Sequence, residues 1–514
     1  MKYSLFASLV TLSLISNTVF AQAKVTAPRN AASATAVKPA EKKQDYAVPF
    51  VNKTLPNGLE VIVLQDSSVP IVTVELAVRN GSFTEPPELH GLSHLYEHMF
   101  FKPNFAMAVR ECESVISRFS IPPICTRANQ LKASIGDVSY LKDSNQLSIS
   151  NGSTREEIVN YFYTTTPDHL ATAIRNINDA VRYPIFDEQE FENEKKVVIG
   201  EIDRHEANPF GFLDKELKRR LFYKYPTRKD PQGTRESVSS ATIEKMRTIQ
   251  SRYYVPNNAA LVVTGDVSPE EVFKLAAQIM GSWEKRPVDP FKEFPLVEHP
   301  PLEKSEGVIQ ERSREAVTGE SGDENVFIMI GWHGPSIGKD DAATYAADVF
   351  SYIISQADSR FQRNLVDSGL ASSVGFGYYT QRNVGPINMV ITTKPEKARA
   401  ALKAAYAEVA AFTSPAYFTD AELENAKTIL ETNDLFEREK LSEYAHTLGF
   451  WWSSTGIEYF RSYHARLRAV TRADIDRYVK TYIQGKNHVA VAMVSPEGRK
   501  QSGLSEQDLI GGAK

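Results

Sequence analysis

The sequence predicts an α+β protein of two homologous half-domains, each a sheet covered by helices. Three observations carry this. The chain has 514 residues, more than one hydrophobic core normally serves. Short apolar runs of strand type (VTVELAV, NQLSIS, ALVVTG) alternate with amphipathic runs of helical type (DHLATAIRNINDAV, QEFENEKKVVIGEIDRHE). A block of sequence also recurs. FDEQEFENEKKVVIGE begins at Phe186 and FTDAELENAKTILETN at Phe418, and at that offset of 232 Phe186/Phe418, Glu190/Glu422, Glu192/Glu424, Asn193/Asn425 and Lys195/Lys427 are identical. TTTP at Thr164 matches TTKP at Thr392, and YVPNNAALVVTGDVSP at Tyr254 matches YIQGKNHVAVAMVSP at Tyr482, both at an offset of 228. Three matches in the same order point to a duplicated domain.

The elements follow in chain order. Residues 1–23, MKYSLFASLVTLSLISNTVFAQA, have a positive start at Lys2, an apolar run from Leu5 to Ile15 and small residues at Ala21 and Ala23. This is the pattern of a secretory signal, too short for a membrane span. The mature chain is therefore expected to be exported, periplasmic or secreted, with no membrane span. Residues 24–45 are rich in Ala, Lys and Pro and read as a flexible leader. A first half-domain is expected over 46–285, opening with LPNGLEVIVLQD, a turn at Asn57-Gly58 that feeds a strand. The segment REEIVNYF is ambiguous between helix and strand. Prolines and charges over 286–307 mark a linker. A second half-domain is expected over 308–500 and a polar tail over 501–514. The net charge of -5 gives no basic surface for nucleic acid. The two cysteines, Cys112 and Cys125, form a candidate disulfide in an oxidising compartment.

The chemistry concentrates in GLSHLYEHMFF, residues 91–101. On a helix, positions i and i+4 share a face, so His94 and His98 can aim two imidazoles at one ion. Glu97 lies close enough on nearly the same face to reach a water beside that ion. A catalytic zinc needs a third protein ligand and one open position. His90 extends the histidine spacing backwards, but Glu85-Pro86-Pro87 and Gly91 place it before the helix. The helix that follows Phe186 offers several carboxylates. Two of them, Glu194 and Glu201, lie about two turns apart on one face. In the second copy these two become Ala426 and Asn433, while Glu190, Glu192 and Lys195 are kept. The second copy has no HxxEH, and its comparable helix reads ATYAADVFSYI. One half carries a site and the other does not.

With these motifs the sequence resembles the insulinase/pitrilysin family of zinc metallopeptidases, the inverzincins, in its processing-peptidase-like two-domain branch. The matching features are GLSHLYEHMFF, the Glu194…Glu201 pair, YYVPNNAALVVTGDV, the linker and the weaker second half. The resemblance implies one Zn2+ per chain held by His94, His98 and Glu201, with Glu97 as general base and Glu194 orienting a ligand from behind. It implies that the half-domains, each with a mostly antiparallel sheet, form a clamshell around a chamber that takes peptides or unfolded segments. SISNGST matches the family's edge-strand segment and implies that Asn151 binds substrate, with Gly152 where Ala is usual. Two departures stand out. About 25 extra residues, with both cysteines, lie between Phe101 and Asn151. In RFQRNLVDSGLASSVGF, Val366 and Ser372 stand where active single-chain members carry Arg and Tyr. That departure implies a homologous partner subunit that supplies the missing pair, or else that Tyr378, Tyr379 or Arg382 fills the role within one chain. A reading from another class is a non-catalytic zinc-binding scaffold or chaperone-like subunit, which would have no need for Glu97.

Overall fold

The computed structural model describes residues 48–107, 109–110, 147–319 and 322–511. In the first half, β1 (Val51–Thr54), β2 (Glu60–Gln65), β3 (Val72–Val78), β4 (Ile149–Thr154), β5 (Val159–Thr165) and β6 (Ala259–Gly265) form a sheet in the order β1-β2-β6-β3-β5-β4. In the second half, β7 (Glu306–Glu311), β8 (Val326–His333), β9 (Ser373–Tyr378), β10 (Pro386–Thr393) and β11 (His488–Val494) form a sheet in the order β7-β11-β8-β10-β9. In each sheet one pair is parallel, β2 with β6 and β7 with β11, and the remaining pairs are antiparallel. Without β1 the two orders are the same, as a duplication requires. The ambiguous segment REEIVNYF resolves into a turn followed by β5, whose Tyr161 and Tyr163 are buried.

The longer helices are α1 (Leu92–Phe100), α2 (Leu170–Arg182), α3 (Glu188–Ala207), α4 (Pro209–Leu221), α5 (Ile243–Tyr253) and α6 (Pro269–Met280) in the first half. In the second they are α7 (Asp341–Ser355), α8 (Ala398–Ala411), α9 (Asp420–Glu437), α10 (Leu441–Ser454) and α11 (Arg472–Tyr482). The central strands are apolar at nearly every position because both of their faces are covered. Along β2, Val61 and Val63 enter the core under α1 and α2, while Ile62 and Leu64 enter a second core with Tyr444, Leu448 and Trp452 of α10. Along β8, Ile328, Ile330 and Trp332 face α7, while Phe327 and Met329 meet Leu213, Leu217 and Leu221 of α4. Each sheet is thus covered on one face by its own helices and on the other by a helix from the opposite half. α4 and α10 begin at 209 and 441, the same offset of 232 as the sequence repeat.

The residues read as a polar tail, 501–514, do not project as one. Their described part carries a short helix, Glu506–Leu509, and Leu504 and Leu509 are buried in the second half's core. The apolar spacing of these two leucines is too short to register as a period. Cys112 and Cys125, and most of the expected insertion around them, lie outside the described residues. Among the described residues no helix is long and apolar enough to cross a membrane.

Candidate metal centre

The helix α1 is seated before it presents anything. Its first turn is buried, so its free N–H groups need acceptors. The carboxylate of Glu85 supplies them, accepting from Gly91 N at 2.7 Å and Ser93 N at 2.6 Å. Gly91 has φ +80°, and a Cβ there would lie 2.9 Å from Gln232 O, so the tight passage needs glycine. Leu92, Leu95, Tyr96, Met99 and Phe100 fill the core. Tyr96 stacks on Tyr254 at 4.2 Å and Phe100 on Tyr161 at 3.7 Å. The opposite face turns to α3, which starts at the Asp187 cap, whose Oδ1 accepts from Glu190 N at 3.0 Å. Val198 and Ile202 hold α3 to the core, which leaves Glu201 buried and facing the histidines.

His94, His98 and Glu201 offer ligand atoms that all lie within 4.8 Å of one another. Glu201 Oε2 sits 3.4 Å from His94 Nε2 and 3.5 Å from His98 Nε2. These are longer than hydrogen bonds should be, and Glu201 Oε2 is buried with no hydrogen-bond partner. A carboxylate oxygen without a donor, with two imidazole nitrogens converging beside it, fits a divalent cation of the zinc type. His98 Nδ1 meets Glu194 Oε2 at 3.0 Å, which fixes the ring so that Nε2 is the atom turned to the centre. Lys102 Nζ in turn binds Glu194 Oε1 at 2.6 Å and Glu190 Oε2 at 2.9 Å. Lys102 was not legible in the sequence, where it reads as an ordinary charge after the helix.

The electrostatics match this arrangement. Burial opposes charging His98, but the Glu194 and Glu201 carboxylates outweigh it and push its pKa up to about 10. Burial and the neighbouring His98 push His94 down to about 4. The Glu194 and Glu201 carboxylates thus favour positive charge at this point. Glu97 is pushed up to about 7, by burial above all, against the charge of His98 and a hydrogen bond from Thr154. A carboxyl group in that range can both accept and return a proton near neutral pH.

The structure places the remaining residues as follows. His90 is outside the cluster; its Nε2 meets the carbonyl of Asp230 at 3.1 Å. Asn151 lies exposed on β4, at the edge of the sheet, and its Oδ1 accepts from Gly152 N at 2.9 Å. Val366 lies in a π-helical turn, Arg363–Asp367, and Ser372 spends its hydroxyl on Thr392 O at 3.0 Å. The nearby candidates for an Arg and a Tyr are engaged where the halves meet or within the second half. Tyr378 donates to Pro335 O at 3.0 Å and Arg382 to Ser454 O at 2.6 Å, while Tyr379 lies against Arg155 and stacks on Phe450.

Known proteins resemble the chain over most of its length. A family profile described as insulinase (peptidase family M16) matches residues 60–117 and 139–230. A second, described as the peptidase M16 inactive domain, matches residues 240–430. The chain is 22% identical over 456 residues to the zinc protease PqqE of Helicobacter pylori, covering 87% of this chain and 93% of that protein. It is 23% identical to a probable mitochondrial-processing peptidase subunit beta of Arabidopsis thaliana, covering 86% of this chain and 78% of that one. Among solved structures, a protease from Helicobacter pylori superposes with a TM-score of 0.71 at 20% identity, covering 86% of this chain and 99% of that one. At that identity the superposition speaks for the fold.

Proposed function

Because the chain belongs to the insulinase (M16) family of metallopeptidases, whose members include relatives named zinc proteases, we propose that it is an exported zinc-dependent endopeptidase acting on peptides or unfolded segments. The observation that carries the proposal is the convergence of His94, His98 and Glu201 on one point, with Glu201 Oε2 unpartnered and Glu97 at their side. His94, His98 and Glu201 would hold one zinc ion per chain, and Glu194 would hold His98 in place. Zinc, when bound, polarises the scissile carbonyl and acidifies the attacking water. Glu97 accepts the proton of that water and returns it to the leaving amine. A peptide adds as a strand beside the open edge of β4, with Asn151 on the contact. Export rests on residues 1–23.

The chain works with a homologous partner subunit. Negative charge builds on the scissile oxygen during attack, and a preorganised donor is worth roughly 2.7–4 kcal/mol there. Val366 cannot donate, and the hydroxyl of Ser372 is already bound. Tyr378 donates to Pro335 O and the Nε of Arg382 to Ser454 O. A partner that supplies Arg and Tyr should raise the rate by ~100-fold or more. The test is hydrolysis of a quenched unstructured peptide by the isolated chain, with and without chelator, and then with a candidate partner lacking HxxEH. Slow, chelator-sensitive cleavage that the partner accelerates supports the proposal. Full turnover by a monomer, unchanged by partner, removes the two-subunit part. The Val366/Ser372 departure also favours a second reading, a non-catalytic zinc-binding scaffold, which requires that no peptide be cut with or without partner.

A further inference from the structure

Two residues of the edge strand approach Glu97. Thr154 Oγ1 donates to Glu97 Oε2 at 2.8 Å. Gly152 is two residues earlier, and alternate residues of a strand share a face. A Cβ at Gly152 would lie 2.8 Å from Glu97 Cγ, 3.1 Å from its Oε1 and 2.9 Å from Asn160 O. The missing side chain at 152 therefore leaves the space that Glu97 occupies, and the hydroxyl at 154 takes one of its two oxygens. A carboxylate on a flexible stem has several rotamers. Here one oxygen is tied, and the other is left for proton transfer.

The strand that carries the hydroxyl is itself fixed. β4 pairs with β5 in the register Gly152↔Tyr161 and Thr154↔Val159. Ser153, on the other face, donates to Asn160 Oδ1. Asn160 Nδ2 lies 3.2 Å from His446 Nδ1, on α10 of the second half, and His446 is bound to the fully buried Glu75 of β3. Helix α10 of the second half thus buttresses the strand that meets Glu97.

We propose that Thr154 is a positioning residue for the reaction. Its hydroxyl orients Glu97. This rests on the reading of Glu97 as the general base, and the experiment separates the two. Thr154→Val keeps the side-chain shape and removes the donor; Thr154→Ser keeps the donor. Cleavage of one quenched unstructured peptide is measured for both variants, for the wild-type chain and for Glu97→Gln, with zinc content determined on each. The expected result is a fall in kcat of about tenfold or more for Thr154→Val, from loss of a hydrogen bond to a charged group. KM should stay within about twofold and zinc content unchanged, and Thr154→Ser should recover most of the rate. The proposal is overturned by a Thr154→Val variant with wild-type kcat, by a Thr154→Ser variant as slow as Thr154→Val, or by an effect confined to KM or zinc content. If Glu97→Gln is inactive while Thr154→Val is fully active, this inference alone fails. If Glu97→Gln keeps the wild-type rate, the general-base reading fails and takes the inference with it.

Discussion

The two halves use one scaffold and differ at one seam. In the first, α1 faces α3 with His94 and His98 against Glu194 and Glu201. In the second, α7 faces α9 at the corresponding place. There Ala426 and Asn433 stand at the offset of the two carboxylates, Tyr352 OH meets Asn433 Nδ2 at 3.2 Å, and Asp348 Oδ2 accepts from Tyr463 OH at 2.6 Å. What the halves share is structural. Lys195 Nζ binds Glu192 Oε1 at 2.7 Å, and the matching Lys427 Nζ binds Glu424 Oε1 at 2.9 Å. Both copies keep the lysine pairs and the lent helices, and the second half has its fold with Ala426 and Asn433 in place of the carboxylates.

The largest expected effect breaks the comparison at its centre. Glu201→Gln should weaken zinc binding by more than about 100-fold, since partners behind the ligands are alone worth about 10- to 100-fold. Asn433→Gln, its counterpart, should change neither zinc content nor rate. Competition with a chromophoric chelator measures both; equal losses from the two variants would contradict the asymmetry.

Next come the reciprocal seams. Leu217 of α4 and Leu448 of α10 are fully buried against the sheet of the opposite half. Leu217→Ala and Leu448→Ala should each cost about 2–5 kcal/mol, and by similar amounts. Urea unfolding of each variant checks this. A negligible cost for one of them would show that its helix does not cover the sheet as described.

A pH-dependent effect lies in the half without the cluster. Burial pushes Asp348 up to about 7, against the hydrogen bond from Tyr463. The folded chain thus holds that proton more tightly than the unfolded one. Stability from this group is greatest below the ordinary carboxylate range and declines as pH rises toward about 7. Asp348→Asn keeps an acceptor for Tyr463 and removes the titration. It should raise the Tm relative to wild type at pH 8 and leave it nearly unchanged at pH 4. A gain of the same size at both pH values would sever the link.

Much of this was legible in the sequence, and the rest was not for physical reasons. His94, Glu97 and His98 could be found because a helix converts spacing into a shared face. Glu201 and Glu194 stood out by their shared face and against Ala426 and Asn433, since a carboxylate on a helix otherwise looks like solvated charge. The strands β2, β3 and β6 were legible from their apolar runs. Those runs could not say that the second face of each sheet is covered by a helix of the other half. The apolar stripes of α4 and α10 look like those of any surface helix. Thr154 was hidden because a hydroxyl on an edge strand gives no signal until the neighbouring helix is in place. Leu504 and Leu509 were lost in polar sequence too short to show a period.

The central claim is that one half holds a metal for which Glu97 does the proton transfer without being a ligand. The direct measurement is elemental analysis of zinc in the wild-type chain and in Glu97→Gln, alongside peptide turnover. The account predicts about one zinc per chain in both proteins, with turnover in Glu97→Gln reduced by about 10²–10⁴-fold. Loss of zinc from Glu97→Gln, or wild-type turnover in it, would contradict the account.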